Sequence, residues 1–187
     1  MNKKYELTNE SIEHEGVTLY RIRALKDFGR VKKGDLGGYI EKESNLSNHD
    51  ACWVHNDARV YGKAYVYAKA NVSDNAQVYD DASLGDRAWV YNDARVGGNA
   101  RVFGTARVFG GAWVYGTAHV YGFARVFDDA RVYDDARVLD NVVVYGHAQV
   151  FEHGHLGGCV RVFDSAVIKG KADVHDLEGI CGDSVIA

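Results

Sequence analysis

A repeat of six residues runs along this chain from Val54 to Ile186. Every sixth residue in that range is Val, Leu or Ile, and two positions earlier lies a small residue, which is Ala in most copies. Two residues at that spacing point to the same side of a short strand. Two of the other positions are mainly Gly, Asp, Asn or Thr, which are typical of tight turns. Each unit is therefore predicted to be a short strand followed by a corner.

The cost of burying charge decides which side of the strand faces inward. The residue directly before the aliphatic position is Arg in eight copies, at positions 59, 95, 101, 107, 125, 131, 137 and 161. Burying that many unpaired guanidinium groups would cost several kcal/mol each. We therefore expect Ala and the aliphatic residue to face inward, and Arg and the following aromatic residue to face outward. An interior lined by Ala and Val is narrow, so the chain must turn often.

The order aliphatic, any residue, turn, turn, Ala, any residue resembles the hexapeptide repeat of the left-handed parallel β-helix superfamily, best known from acyltransferases. Units such as Ala-Arg-Val-Tyr-Asp-Asp at 130–135 also resemble an uncharacterised bacterial and prophage group of that superfamily to which acyltransferase activity is ascribed. The resemblance covers residues 36–187. It implies an all-β fold, a left-handed parallel β-helix shaped as a triangular prism of about eight coils, in which residues 18 apart stack.

Residues 1–35 do not follow the repeat, and we expect them to cap the first coil within one structural domain. A β-hairpin is predicted between Glu10 and Leu25, with its turn at residues 14–16. The spacing of eight between Leu46 and Val54 indicates a two-residue insertion at one corner. At the other end the last unit stops in a strand at Ile186. We expect that edge to be covered by another copy or by a partner.

Composition agrees with strands and excludes several classes of protein. The chain has 25 Val against 9 Leu and no Pro, and β-branched residues favour strands. No apolar run approaches the roughly 18 residues of a membrane span, and no secretory signal is recognisable. The three cysteines are too few for a disulfide framework. We expect a soluble, cytoplasmic protein that does not associate with membranes.

Taking every eighteenth residue separates three outer faces. The first, here called the ladder face, is predicted to stack five aromatic rings beside Arg. Such a ladder can stabilise its own sheet, or it can be an interface, because aromatic surface with Arg is typical of association sites. Superfamily members are typically side-by-side trimers, so the resemblance implies a homo-oligomer, either a trimer or an end-to-end dimer through Ile186. The residue pairs of the ladder face are Trp89/Tyr91, Arg107/Phe109, Arg125/Phe127, Val143/Tyr145 and Arg161/Phe163.

The second face, here called the histidine face, stacks Arg101, His119, Arg137 and His155. Hexapeptide-repeat acyltransferases use a His as general base, with acyl-CoA lying along the prism between subunits, and this resemblance makes His119 the candidate catalytic residue. Alternatively, Arg101, Arg137 and His155 hold an anion such as a phosphate or carboxylate. A surface His among Arg residues can also be simply solvated.

The third face interleaves Arg and Gln with aromatic residues, a composition that suits single-stranded nucleic acid. The net charge of −4 and the many Asp residues at corners argue against that partner. His147, His153, His155 and Cys159 are close in sequence, which suggests a metal site, but positions six apart lie on different edges of a prism, so His147 and His153 are expected to point apart. No metal site within one chain is therefore predicted, while a metal shared between chains stays open. The pairs of the third face are Arg59/Tyr61, Gln77/Tyr79, Trp113/Tyr115, Arg131/Tyr133 and Gln149/Phe151.

Uninterrupted units favour a non-catalytic scaffold or binding protein that self-associates and presents its aromatic and Arg faces to a protein partner. Enzymes of the superfamily usually build their sites from loops that leave the coils, and loops commonly carry functional residues. Two alternatives remain. One is an acyltransferase that uses acetyl-CoA or another acyl-CoA, and the other is a small-anion or nucleotide binder at the histidine face. The scaffold interpretation implies no cofactor.

Overall fold

The computed structural model of this protein describes residues 3–175 and 179–187. Three longer strands come first, β1 (Tyr5–His14), β2 (Val17–Ala24) and β3 (Leu36–Ile40), followed by a single 3-10 turn at Glu43–Asn45. No helix in the described part of the chain is long and apolar enough to span a membrane. The later strands have two residues each: β4 Trp53–Val54, β5 Arg59–Val60, β6 Tyr65–Val66, β7 Asn71–Val72, β8 Gln77–Val78, β9 Ser83–Leu84, β10 Trp89–Val90, β11 Arg95–Val96, β12 Arg101–Val102, β13 Arg107–Val108, β14 Trp113–Val114, β15 His119–Val120, β16 Arg125–Val126, β17 Arg131–Val132, β18 Arg137–Val138, β19 Val143–Val144, β20 Gln149–Val150, β21 His155–Leu156, β22 Arg161–Val162, β23 Val167–Ile168, β24 Asp173–Val174 and β25 Val185–Ile186.

The short strands form three parallel sheets that run along the molecule, one for each face. The ladder face consists of β4, β7, β10, β13, β16, β19 and β22, and the histidine face of β6, β9, β12, β15, β18, β21 and β24. The third face consists of β5, β8, β11, β14, β17, β20, β23 and β25. Paired strands join residues 18 apart, as Val90 and Val108 do. The all-β parallel solenoid of about eight turns, and the stacking of residues 18 apart, are thereby confirmed.

The interior of the solenoid is a column of small and aliphatic side chains. Ala130 and Val132 are both fully buried, whereas Arg131 between them is exposed, and the same pattern holds in most coils. Burying one Val side chain contributes roughly 1.5–3 kcal/mol relative to leaving it exposed. The inward and outward sides are therefore as predicted, and the narrow interior explains why Val outnumbers Leu.

From Val54 onward, each described corner contains one residue with a left-handed backbone, which lies two positions after the aliphatic residue. Examples are Asp134, with φ of 54°, and Gly146, with φ of 68°. Where this residue is Asp, its carboxylate usually accepts a hydrogen bond from the backbone N–H of the corner residue one coil further on. Asp80 Oδ2 accepts from Gly98 N at 3.0 Å, and Asp140 Oδ2 accepts from Gly158 N at 3.0 Å. The corner carboxylates thus satisfy main-chain donors, and their presence is explained without a bound cation.

The N-terminal segment forms the predicted hairpin and extends the third face. Strands β1 and β2 pair in antiparallel fashion, and the turn between them holds Glu15 and Gly16 at positive φ. The hairpin is confirmed, although its first strand begins earlier than expected, at Tyr5. Strand β2 pairs with β3, which in turn pairs in parallel with β5. Ile40 opposite Val60 is a step of 20 residues, which reflects the predicted two-residue insertion.

An aromatic cluster closes the end of the solenoid beneath the hairpin. Trp53 is buried and meets the rings of Tyr5 and Phe28 edge-on, with centroids 6.2 and 5.3 Å apart. Lys4 is also fully buried, and its ammonium group donates to the carbonyl oxygen of Cys52 at 2.9 Å and lies 3.2 Å from the Cys52 Sγ. Burial lowers the pKa of Lys4 and raises the pKa of Cys52. The sequence pattern indicated a cap here but not this cluster.

Candidate functional site

The ladder face brings its five predicted rings together in one continuous stack. The centroids of successive rings are 4.7–5.1 Å apart, and neighbouring planes lie within 11° of parallel. Trp89 extends the stack at one end, tilted by 42° at 4.8 Å from Tyr91. The stacked rings are Tyr91, Phe109, Phe127, Tyr145 and Phe163.

Cationic side chains stand beside this stack. Arg107 and Arg125 are exposed and occupy adjacent coils, with Val143 following in the same column. Burial raises the pKa of Tyr91, and the positive charges of Arg107 and Arg125 oppose that rise. The ring faces cover one another, so the outer edges of the rings and the Arg side chains form the surface that a second molecule would meet.

A groove of about 520 Å³ opens at the capped end of the ladder face. It lies between the loop at 29–31 and the side chains of β7 and β10. Two polar contacts hold its wall: Trp89 Nε1 donates to Ser73 Oγ at 3.0 Å, and His55 Nε2 lies 3.0 Å from Asn71 Oδ1. Sequence analysis missed this groove because one wall belongs to the non-repeating cap.

The histidine face places its predicted residues on consecutive coils. Arg101 pairs with His119, His119 with Arg137, and Arg137 with His155. Partial burial lowers the pKa of His119, and the charges of Arg101 and Arg137 lower it further. The neutral form of His119 is therefore favoured at neutral pH, as a general base requires.

A groove of about 470 Å³ runs beside His119 along the adjoining corner. One wall is His119, Arg137 and His155, and the other is the corner column of Thr117, Asp135 and His153. The Thr117 hydroxyl donates to Asp135, and His153 Nδ1 lies 3.5 Å from the other oxygen of the same carboxylate. A ligand in this groove meets the Arg137 guanidinium on one side and the Asp135 carboxylate on the other.

His155 differs from the other members of the predicted anion site because it has an acidic neighbour. Its Nδ1 lies 3.0 Å from Asp173 Oδ1, one coil further on, and Asp173 also contacts His175 at 2.8 Å. An anion at His155 would compete with this carboxylate. Sequence analysis stopped the histidine column at His155, although the same spacing of 18 leads directly to Asp173.

The third face carries two shorter stacks and a cation-π cluster. Tyr61 and Tyr79 stack at 5.5 Å. Tyr115, Tyr133 and Phe151 stack at 4.9 and 4.8 Å. The guanidinium groups of Arg95 and Arg131 lie over the Trp113 ring at 5.0 and 5.8 Å. These contacts hold the Arg residues against their own sheet.

His147 and His153, six residues apart in sequence, lie at different corners of the solenoid. His147 pairs with Asp129 at 3.7 Å, whereas His153 pairs with Asp135 at 3.5 Å, each with the equivalent corner position one coil earlier. Cys159 is exposed and free. The two side chains therefore stand at different corners, as the spacing of six predicts.

Comparison with known proteins supports the fold. A family model described as the YdcK beta solenoid repeat matches residues 130–146. This segment contains β17, β18 and β19, one strand from each face. A comparison with curated proteins finds no match.

Proposed function

We propose that the protein is a non-catalytic β-solenoid scaffold that self-associates side by side through its ladder face and offers another face to a protein partner. The observation that carries the proposal is the continuous stack of five rings flanked by exposed Arg side chains. Aromatic and Arg side chains dominate the energetics of protein interfaces. We extend the proposal to a trimer, the assembly that the superfamily resemblance implies, and to a cytoplasmic location.

The shape of the ladder face supports this proposal. Its strands recur at the same register from β4 to β22. The loop at 29–31 flanks this face at its β7–β10 end, and no described loop leaves the coils from β13 to β22. At the strand spacing of ~4.8 Å, these four strands span about 14 Å, over which identical faces can approach without a loop between them.

The decisive experiment compares charge reversals on two faces. Arg125→Glu is expected to dissociate the oligomer into monomers, because it places a carboxylate in the centre of the proposed interface. Arg131→Glu is the matched control, since Arg131 is equally outward-facing but lies on the third face. Molar mass is measured by light scattering after size-exclusion chromatography.

Circular dichroism of both variants establishes that the solenoid is intact. A monomeric wild-type protein contradicts the self-association proposal. It is also contradicted if Arg131→Glu dissociates the assembly while Arg125→Glu does not, because the third face would then be the interface.

A second candidate function is anion or acyl-CoA binding in the groove beside His119. The observation that favours it is the alternation of Arg101, His119 and Arg137 on successive coils, of which His119 and Arg137 line that groove. Phosphate oxygens form strong charge-assisted bonds with such groups. If the acyltransferase resemblance extends to activity, the neutral His119 accepts the proton of the attacking hydroxyl or amine as the acyl group leaves CoA.

Acetyl-CoA and inorganic phosphate titrations distinguish these candidates by calorimetry. Because the pKa of His119 is lowered in the free protein, anion binding recruits a proton, and affinity should rise as pH falls from about 7 to 5.5. The acyltransferase is supported if the wild-type protein binds acetyl-CoA but not inorganic phosphate, and if His119→Ala no longer binds acetyl-CoA. Binding of both ligands supports the anion site, and binding of neither leaves the scaffold as the function.

A further inference from the structure

Three ligand-type side chains converge at the far end of the histidine face. Asp173 Oδ1 lies 3.0 Å from His155 Nδ1 and 2.8 Å from His175 Nε2, and the two imidazole rings meet edge-on with centroids 5.1 Å apart. One nitrogen or oxygen from each residue falls within 4.8 Å of the others. The two His side chains thus converge on a single carboxylate oxygen.

Gly157 provides the space that brings His175 into this cluster. A Cβ atom at position 157 would lie 2.2 Å from Cε1 of His175 and 2.4 Å from its Nδ1, so any larger residue would displace the ring. The ring of Tyr79 lies over Gly97 in a similar way. His175 is therefore folded back along the face towards His155 because Gly157, which stacks against it from the adjacent coil of His155, has no side chain.

We propose that His155, Asp173 and His175 bind a divalent transition-metal ion of the zinc class. Ligands of a tetrahedral Zn²⁺ at bonds of 2.0–2.2 Å lie about 3.3 Å apart, close to the two contact distances observed. Two imidazoles and one carboxylate are a common ligand set for such ions. The partly exposed side chains leave the remaining coordination positions to water, so this is an open site at the surface.

The site is distinct from the ladder face and shares only His155 with the groove beside His119. It uses the side of His155 that faces Asp173, whereas the groove extends from His155 towards Arg137 and His119. Arg137 repels a cation, and the Asp173 carboxylate on the opposite side of His155 offsets that charge. The ladder face takes no part, so metal binding does not depend on self-association.

The test is a metal titration of tag-free protein that has first been stripped with a chelator. Zn²⁺ is titrated by calorimetry, and Co²⁺ is followed by its visible absorption, which reports the geometry of its ligands. One ion per chain is expected. His175→Ala should abolish binding, and Gly157→Ala should weaken it about 10-fold or more although all three ligands remain.

His147→Ala is the matched control, because it removes a His paired with a carboxylate at a different corner of the solenoid. Its affinity should equal that of the wild-type protein. Circular dichroism establishes that each variant keeps the solenoid. The proposal is wrong if the wild-type protein binds no Zn²⁺, if His175→Ala binds it with unchanged affinity and stoichiometry, or if Gly157→Ala has no effect.

Discussion

At the scale of single residues, the corners are where sequence and structure agree most closely. The left-handed position follows from composition, because Gly, Asp and Asn tolerate positive φ. The role of the Asp carboxylate does not follow from composition, since it depends on which N–H of the next coil lies within reach. Asp140 meets Gly158 only because the register places them one coil apart. The Asp-rich corners therefore contribute to the stability of the solenoid through these hydrogen bonds.

The corner hydrogen bond predicts an order of stability for three substitutions. Asp140→Gly loses the acceptor but keeps the left-handed backbone, and should lower the free energy of unfolding by about 1 kcal/mol. Asp140→Ala also strains the backbone, and should cost about 1–3 kcal/mol. Asp81→Ala removes only an exposed ion pair with Lys63 and should cost less than about 0.5 kcal/mol. Chemical denaturation measures all three, and a larger loss in Asp81→Ala would contradict the explanation.

At the scale of elements, strands of two residues are held by stacking on their neighbours. The ladder was predictable, because the spacing of 18 aligns Phe109, Phe127 and Tyr145 once the turn of the coil is known. The convergence of His155, Asp173 and His175 was not predicted. Asp173 could have been found from the same spacing, whereas the fold of His175 over Gly157 depends on side-chain conformation. Sequence spacing thus assigns a residue to a face but leaves its side-chain direction undetermined.

The ladder is expected to stabilise the sheet whatever else it does. Phe127→Ala removes the stacking on two neighbouring rings, at 4.7 and 5.1 Å, and should cost about 2 kcal/mol. Phe123→Ala is the control, since this ring is 63% exposed at a corner and should change stability by less than about 0.5 kcal/mol. Thermal unfolding is measured at several protein concentrations. If the destabilisation caused by Phe127→Ala disappears when the protein is diluted, the ring stabilises contacts between chains and not the sheet of a single chain.

At the scale of the whole molecule, the six-residue repeat determines the solenoid architecture, and the N-terminal cap determines where the first coil begins. Twenty-three aliphatic positions at one spacing indicated a three-sided solenoid. The aromatic cluster of Tyr5, Phe28 and Trp53 could not be predicted from the sequence. Its contacts join segments outside the repeat, so no periodicity indicates them. Solenoids need such terminal caps, since an open coil exposes its apolar interior.

The solenoid should tolerate the loss of one whole coil. Deleting residues 94–111 joins Asp93 to Ala112 and leaves every column in register, so the shortened protein should fold and unfold cooperatively. Deleting residues 94–110 removes one residue fewer, which exchanges inward and outward positions beyond the junction. Far-ultraviolet circular dichroism and thermal unfolding compare the two. Equal stability of both deletions would argue against a register fixed by the six-residue unit.

Each coil forms its backbone hydrogen bonds chiefly with the coils directly before and after it. We therefore expect the molecule to unfold in steps when it is stretched. Tension applied along the axis would release one coil at a time, and each event would add roughly 60 Å of extended chain. Because the coils are connected in series, every interface between coils bears the same tension, and the weakest interface opens first. Such a rod lengthens in steps under load, and it remains attached at both ends while it does so.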